Sequence, residues 1–187
     1  MRTEIYMQKY LYPIIKNLYV ILQIYGSGGM ILTDDQVLYK RFWRMRNTNK
    51  SHELWSTNSR MSEADCAVML VKLKHLEGWQ KRRRDIAEYY LQEFGERYHT
   101  IRFTEGVEPN WHKFVIKTAN RNALVNHLMT QDIEVKVHYP YVLDDYSYGI
   151  RTRAKILSQA CLSLPIYAEM SDYEVEQVAI AMKSYIP

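Results

Sequence analysis

Six histidines (His52, His75, His99, His112, His127 and His138) and two cysteines (Cys66 and Cys161) are the side chains of this sequence best suited to ligate a metal or to exchange a proton near neutral pH. None of them stands in a metal-binding spacing, since HExxH, CxxC and carboxylate-rich histidine clusters are all absent. No metal is expected. A GxSxG elbow and a Walker loop are also missing, and the glycines at 26, 28 and 29 precede a short apolar run, 30–32, instead of a helix. That is the wrong context for cradling a phosphate. Two polar phrases remain. Asn58-Ser59-Arg60 carries amide and guanidinium donors that suit a phosphate, although a turn cap at Asn58 and an Arg60–Glu63 pair would explain it as well. His138-Tyr139-Pro140 closes an alternating segment, where a histidine in front of a rigid proline either meets a ligand's hydroxyls or is a satisfied structural histidine.

The elements that must hold these residues follow from apolar spacing. Residues 30–32 read as a strand, and Thr33 with Gln36 reads as a capping box opening a helix that carries Leu38, Phe42 and Met45 to about Asn47. A loop is expected over 48–58. A second helix from Ser62 is so densely apolar at Val68, Leu70, Val71 and Leu73 that burial between layers is expected. A third, from about Glu77 to Phe94, has a stripe of Trp79, Ile86, Tyr90 and Phe94, with the basic run 81–84 read as a solvated face. Further on, Phe114 and Ile116 mark a strand, Asn120 caps a helix with Leu124, Val125, Leu128 and Met129, and Ile133, Val135, Val137 and Tyr139 alternate as a strand with one wet face. A helix over 151–160, an apolar strand over 161–164 and a capping box at Ser171 to Glu174 opening a last helix complete an alternating α/β pattern.

With 47% hydrophobic and 25% charged residues, a chain of this length can bury an ordinary core. The net charge is +4, and the run Lys81-Arg82-Arg83-Arg84 accounts for all of it, so a nucleic-acid partner is not expected. Both cysteines lie in apolar stretches and read as reduced core residues, in keeping with a cytoplasmic protein. The N-terminus lacks the order of a secretory signal. Residues 5–25 are interrupted by Lys9, Pro13, Lys16, Asn17 and Gln23, so no membrane span is expected.

Five phrases, in order, carry a resemblance: GSGGMILTDD from Gly26, NSRMSEADCAVMLVKLKHLEGWQKRRRDIAEYY from Asn58, WHKFVIKT from Trp111, IEVKVHYP from Ile133 and LSLPIYAEMSDYEV from Leu162. Together they resemble the DegT/DnrJ/StrS sugar aminotransferases. The resemblance implies the C-terminal part of a type I pyridoxal-phosphate (PLP) aminotransferase fold. On this basis 1–57 are a remnant of the large PLP-binding domain, 58–110 a helical connection and 111–187 the small α/β domain. It implies transfer of an amino group from glutamate to a keto-sugar nucleotide, and a homo-oligomer.

The resemblance also implies roles for single residues. Lys16 stands nearest to the family's Schiff-base lysine, in Tyr12-Pro13-Ile14-Ile15-Lys16-Asn17-Leu18. One extra residue separates Pro13 from Lys16 and no glycine follows Leu18, so a working lysine, its relic and a surface lysine all remain open. Asn58 and Arg60 are implied to reach the cofactor phosphate across a dimer, with Ser59 replacing the family's usual aromatic. His138 and Tyr139 are implied to lie on the sugar-nucleotide side, although Val142 to Asp145 replace a further histidine of many members. Fifteen residues precede Lys16, too few for the carboxylate on the pyridine nitrogen, the ring stacked on the cofactor and the phosphate hydroxyls. The isolated chain is therefore expected to be inactive; the alternative reading is a non-catalytic truncated remnant serving at most as a dimerising domain.

Overall fold

A computed structural model describes residues 31–46, 60–142 and 152–186. The chain divides into two compact units, Met1–Leu76 and Glu77–Pro187. The described part of the first contains helices α1 (Gln36–Arg46) and α2 (Glu63–Leu73). Residues 31 and 32 are not in a strand, against the sequence expectation for 30–32. Asp35 starts α1. Its Oδ1 accepts from the amides of Val37 at 2.7 Å and Leu38 at 3.1 Å, while Thr33 Oγ1 accepts from the Asp35 amide at 3.2 Å. The expected Thr33 box gives way because a carboxylate meets the positive end of the helix dipole better than a hydroxyl does. Ser62 caps α2 as expected, accepting from the Asp65 amide at 3.1 Å.

The expected burial of α2 is not observed. Only Met69 is buried, Leu70 and Val71 are 44% and 58% exposed, and Cys66 is an exposed free thiol instead of a core residue. An apolar composition on all sides of an 11-residue helix marks what it can bury, and the described neighbours cover only the Met69 side.

In the second unit, α3 (Leu76–Phe94) precedes a three-stranded antiparallel sheet of β1 (His99–Thr100), β2 (Phe114–Lys117) and β3 (Cys161–Leu164), in the order β1-β2-β3. Helices α4 (Arg121–Met129), α5 (Thr152–Ala160) and α6 (Asp172–Ser184) complete it. Phe114 and Ile116 point into the core while Lys117 is exposed, which is the period-2 pattern of a strand with one wet face. The core joins Ile86, Tyr90 and Phe94 of α3, Leu124 and Leu128 of α4, Leu162 and Leu164 of β3, and Val175, Val178, Ala179 and Met182 of α6. Asn120 makes no side-chain cap, and Met129 is 62% exposed.

The expected strand over 133–139 keeps its alternation from Ile133 to Val137 but loses it at the exposed Tyr139, and it forms no ladder. Ile133 is buried and Glu134 and Lys136 are exposed, yet a single bridge, Lys136 to Ser163, joins the segment to β3. Because hydrogen-bonding sides alternate along a strand, β3 can turn only Cys161, Ser163 and then Pro165 toward this edge, and Pro165 has no N–H to give.

At α6 the expected capping box is complete: Ser171 Oγ accepts from the Glu174 amide at 3.2 Å and Glu174 accepts from the Ser171 amide at 2.7 Å. Substituting Ser171→Ala should cost about 1 kcal/mol in urea denaturation. The backbone and hydroxyl hydrogen bonds from Ser171 hold the Glu174 carboxyl below its ordinary range. A lowered folded pKa stabilises above the unfolded value and the stabilisation is lost as pH falls through the folded one. The difference between wild type and Glu174→Gln should therefore shrink on acidification.

Candidate functional site

Two histidines, a lysine and a tyrosine meet at one edge of the sheet in the second unit. Their placement starts in α3, where Arg83 lies on the same face as Ile86, Tyr90 and Phe94 and is only 4% exposed. The expectation that the basic run 81–84 forms a solvated face fails at this residue. Arg83 Nη1 donates to the Ile166 carbonyl at 2.7 Å and faces the Trp111 and His112 carbonyls at 3.5 Å. One guanidinium therefore ties the end of β3 to the approach to β2, and burial lowers its pKa, with Glu169 opposing. Arg82, by contrast, bridges to the exposed Asp172 at 2.7 Å.

Trp111 has a left-handed backbone (φ 46°), a conformation that strains a residue with a Cβ. Its ring stacks on Phe114 at 5.4 Å and meets Phe103 edge-on at 5.2 Å. This turn sends His112 and Lys113 into the site. His112 Nδ1 and Arg83 Nε are buried side-chain nitrogens with no hydrogen-bond partner among the described residues.

From the other side comes the segment 133–139. His138 Nδ1 lies 2.9 Å from the Oγ of the buried Ser163, and its ring meets Tyr139 edge-on at 5.6 Å. Tyr139 is exposed, and Lys113 Nζ sits 5.0 Å from its ring centroid. Both histidines are held below their ordinary range. For His138 the cause is burial, then Lys113 and Lys136; for His112 it is burial, then Lys113, Arg83 and His138.

This predicts a pH effect with a definite sign. Below the ordinary histidine pKa of about 6.5 the unfolded chain takes up protons that the folded site resists, so stability should fall as pH drops through that value. The loss should level off below the folded pKa values. Urea denaturation from neutral to mildly acid pH, with His112→Gln and His138→Gln flattening the slope, checks it.

Of the residues singled out in the sequence, the adjacent pair His138 and Tyr139 lies at this edge. Arg60 belongs to the first unit and is exposed. Lys16 and Asn58 lie outside the described residues. Sequence reasoning missed Arg83, Lys113 and Ser163. Arg83 left a readable signal, since its spacing to Ile86, Tyr90 and Phe94 puts it on the apolar stripe; Ser163, one serine in an apolar strand, left little.

A family model for the DegT/DnrJ/EryC1/StrS aminotransferase family matches residues 19–183. The chain belongs to this family. Among curated members, it is 34% identical over 169 residues to a dTDP-3-amino-3,6-dideoxy-alpha-D-galactopyranose transaminase of Aneurinibacillus thermoaerophilus, covering 84% of this chain and 47% of the relative. It is 31% identical over 178 residues to a dTDP-3-amino-3,4,6-trideoxy-alpha-D-glucose transaminase of Streptomyces venezuelae, covering 88% and 47%. Among solved family structures, S. venezuelae DesV in complex with a ketimine intermediate superposes with a TM-score of 0.79 at 28% identity, over 88% of this chain and 49% of that one. The chain thus spans about half the length of the curated relatives it matches. Its mixed α/β architecture is part of the family's aminotransferase fold.

Proposed function

We propose that this chain forms the C-terminal part of a PLP-dependent aminotransferase that moves an amino group from glutamate to a keto-sugar nucleotide, for a polysaccharide or secondary-metabolite sugar. The observation that supports this most is the family match over nearly the whole chain, with dTDP-sugar transaminases among the relatives. In this reading 1–57 belong to the large domain, 58–110 connect, and 111–187 are the small domain. The protein works in the cytoplasm as a homo-oligomer, without a membrane or nucleic-acid partner. No helix among the described residues is long and apolar enough to cross a membrane.

Lys16 is assigned to the Schiff base, as a working lysine or its relic, and Asn58 and Arg60 to the cofactor phosphate. Of these three only Arg60 is described, and its exposed guanidinium, a planar set of N–H donors, fits a phosphate. PLP, when bound, supplies the electron sink that amino transfer needs. The chain's own contribution is to hold anionic and polar groups in place. Arg60 binds a phosphate, while His138, anchored through Nδ1, and Tyr139, under the Lys113 ammonium, face the sugar nucleotide.

Calorimetric titration with a dTDP-linked keto-sugar tests the reading. Saturable binding is expected, weakened about tenfold in His138→Ala, the equivalent of one hydrogen bond. No binding would overturn it. Given PLP, glutamate and the sugar, a chain spanning half its relatives' length should by itself form no 2-oxoglutarate. Turnover that Lys16→Ala abolishes would show instead that these residues hold a complete site.

A second reading, a non-catalytic dimerising unit, is favoured by exposed apolar side chains such as Val37, Tyr39 and Trp43 on α1 and Val71 on α2. It predicts a dimer by light scattering together with no sugar binding.

A further inference from the structure

We propose that Ser163 is a positioning residue for His138: its hydroxyl donates to Nδ1, so the ring proton sits on Nε2 and the histidine meets its ligand as a hydrogen-bond donor. Only the ligand's identity rests on the sugar-nucleotide reading; the positioning stands on geometry within the chain.

Ser163 is 6% exposed, and its Oγ lies 2.9 Å from His138 Nδ1. Its backbone is already engaged, the amide donating to the Lys136 carbonyl at 2.8 Å and the carbonyl accepting from the Lys136 amide at 3.2 Å. That leaves the hydroxyl with one proton and two lone pairs, and with His138 Nδ1 as its hydrogen-bond partner among the described residues. Two arrangements are possible. If Nδ1 carried the ring proton, the serine would accept it and its own hydroxyl proton would be buried without an acceptor. If the serine donates, what goes unfilled is only a lone pair. A buried donor without an acceptor is the costlier defect, and the difference corresponds to a tautomer preference of about tenfold or more.

The surroundings keep the ring neutral, as a tautomer requires. Burial first, then Lys113 at the entry to β2 and Lys136 on the neighbouring segment, disfavour a charged His138, and His112 stands close enough for the two rings to interact electrostatically. Lys136 is paired with Glu134 at 3.1 Å, and among the described residues no carboxylate offsets the two lysines at His138. A neutral ring with its proton on Nε2 offers that proton to an acceptor oxygen, whether carbonyl, ether or phosphate. At Nε2 it cannot act as a base.

The test is a long-range proton–nitrogen correlation spectrum of the nitrogen-15-labelled full chain, recorded above the histidine's titration range without any sugar nucleotide. The expected result is the Nε2–H form of His138 in the wild type, a mixed population in Ser163→Ala, and retention of Nε2–H in Ser163→Thr, which keeps a hydroxyl. An Nδ1–H wild type overturns the proposal, and so does a folded Ser163→Ala with an unchanged tautomer. If Ser163→Ala fails to fold, the wild-type and threonine spectra decide alone. Because no sugar is present, failure of the sugar-binding titration leaves this result untouched, and the reverse also holds.

Discussion

Replacing Arg83 with alanine is expected to destabilise the second unit by about 3–4 kcal/mol, and replacing its neighbour Arg82 by at most about 1 kcal/mol. The contrast is the test. Arg82 has a partly exposed side chain that bridges to a 92% exposed Asp172 and donates to the Met170 carbonyl at 2.8 Å, so water can replace much of what is lost. Arg83 is buried, and its removal strands the Ile166 carbonyl and frees those of Trp111 and His112. Hydrogen bonds from a charged donor are worth more than neutral ones, and a buried carbonyl left unmet carries its whole desolvation cost. The left-handed turn at Trp111 also loses its anchor, so the variant should disturb His112 and Lys113 even where it folds. Arg83→Lys keeps the charge but not the planar fork, and should fall between the two. Urea midpoints of the four proteins decide it. Similar losses for Arg82→Ala and Arg83→Ala would mean that the buried fork is not what holds this loop.

The second large effect is expected at Phe114, whose replacement by alanine should cost about 4 kcal/mol. Its ring is completely buried and lies 5.3 Å from Tyr90, 5.4 Å from Trp111 and 6.2 Å from Phe94, two of these contacts edge-on. A cavity there cannot collapse easily, because the surrounding rings are stiff and come from α3 and from the turn before β2. Phe114→Leu fills most of the space and should recover more than half of the loss. Both values come from denaturant midpoints at constant slope. An alanine variant within about 0.5 kcal/mol of wild type, the usual range for surface substitutions, would show that this aromatic cluster is not the centre of the core.

How far the fold was legible depended on whether local chemistry or tertiary contact set each element. The α6 box, the β3 limits and the Ser62 cap could be read because each is written in three or four adjacent residues. The start of α1 was displaced by two positions because the Asp35 carboxylate takes the amides of Val37 and Leu38 while Thr33 is left with that of Asp35, a contest that a motif search does not weigh. Segment 133–139 alternates like a strand up to Val137, but at its Glu134 end pairing meets Pro165, thirty residues away and silent in the local pattern. The site divides in the same way. His138 and Tyr139 stood out as a phrase, whereas Ser163 and Lys113 matter only through what they touch across the sheet edge. Arg83 was hidden by its own neighbours, since three surrounding cations made the whole run look solvated.

The single bridge between Lys136 and Ser163 ties the alignment of His138 to the most weakly secured backbone of the sheet. With one pair of hydrogen bonds instead of a ladder, this edge can part without unfolding the core, and each parting releases the imidazole from the serine. Deuterium uptake at the Ser163 amide, slow only while the edge is closed, therefore clocks how long the histidine stays aimed. A ligand that grips the ring from outside should slow that uptake while leaving the amides of β2 as they were.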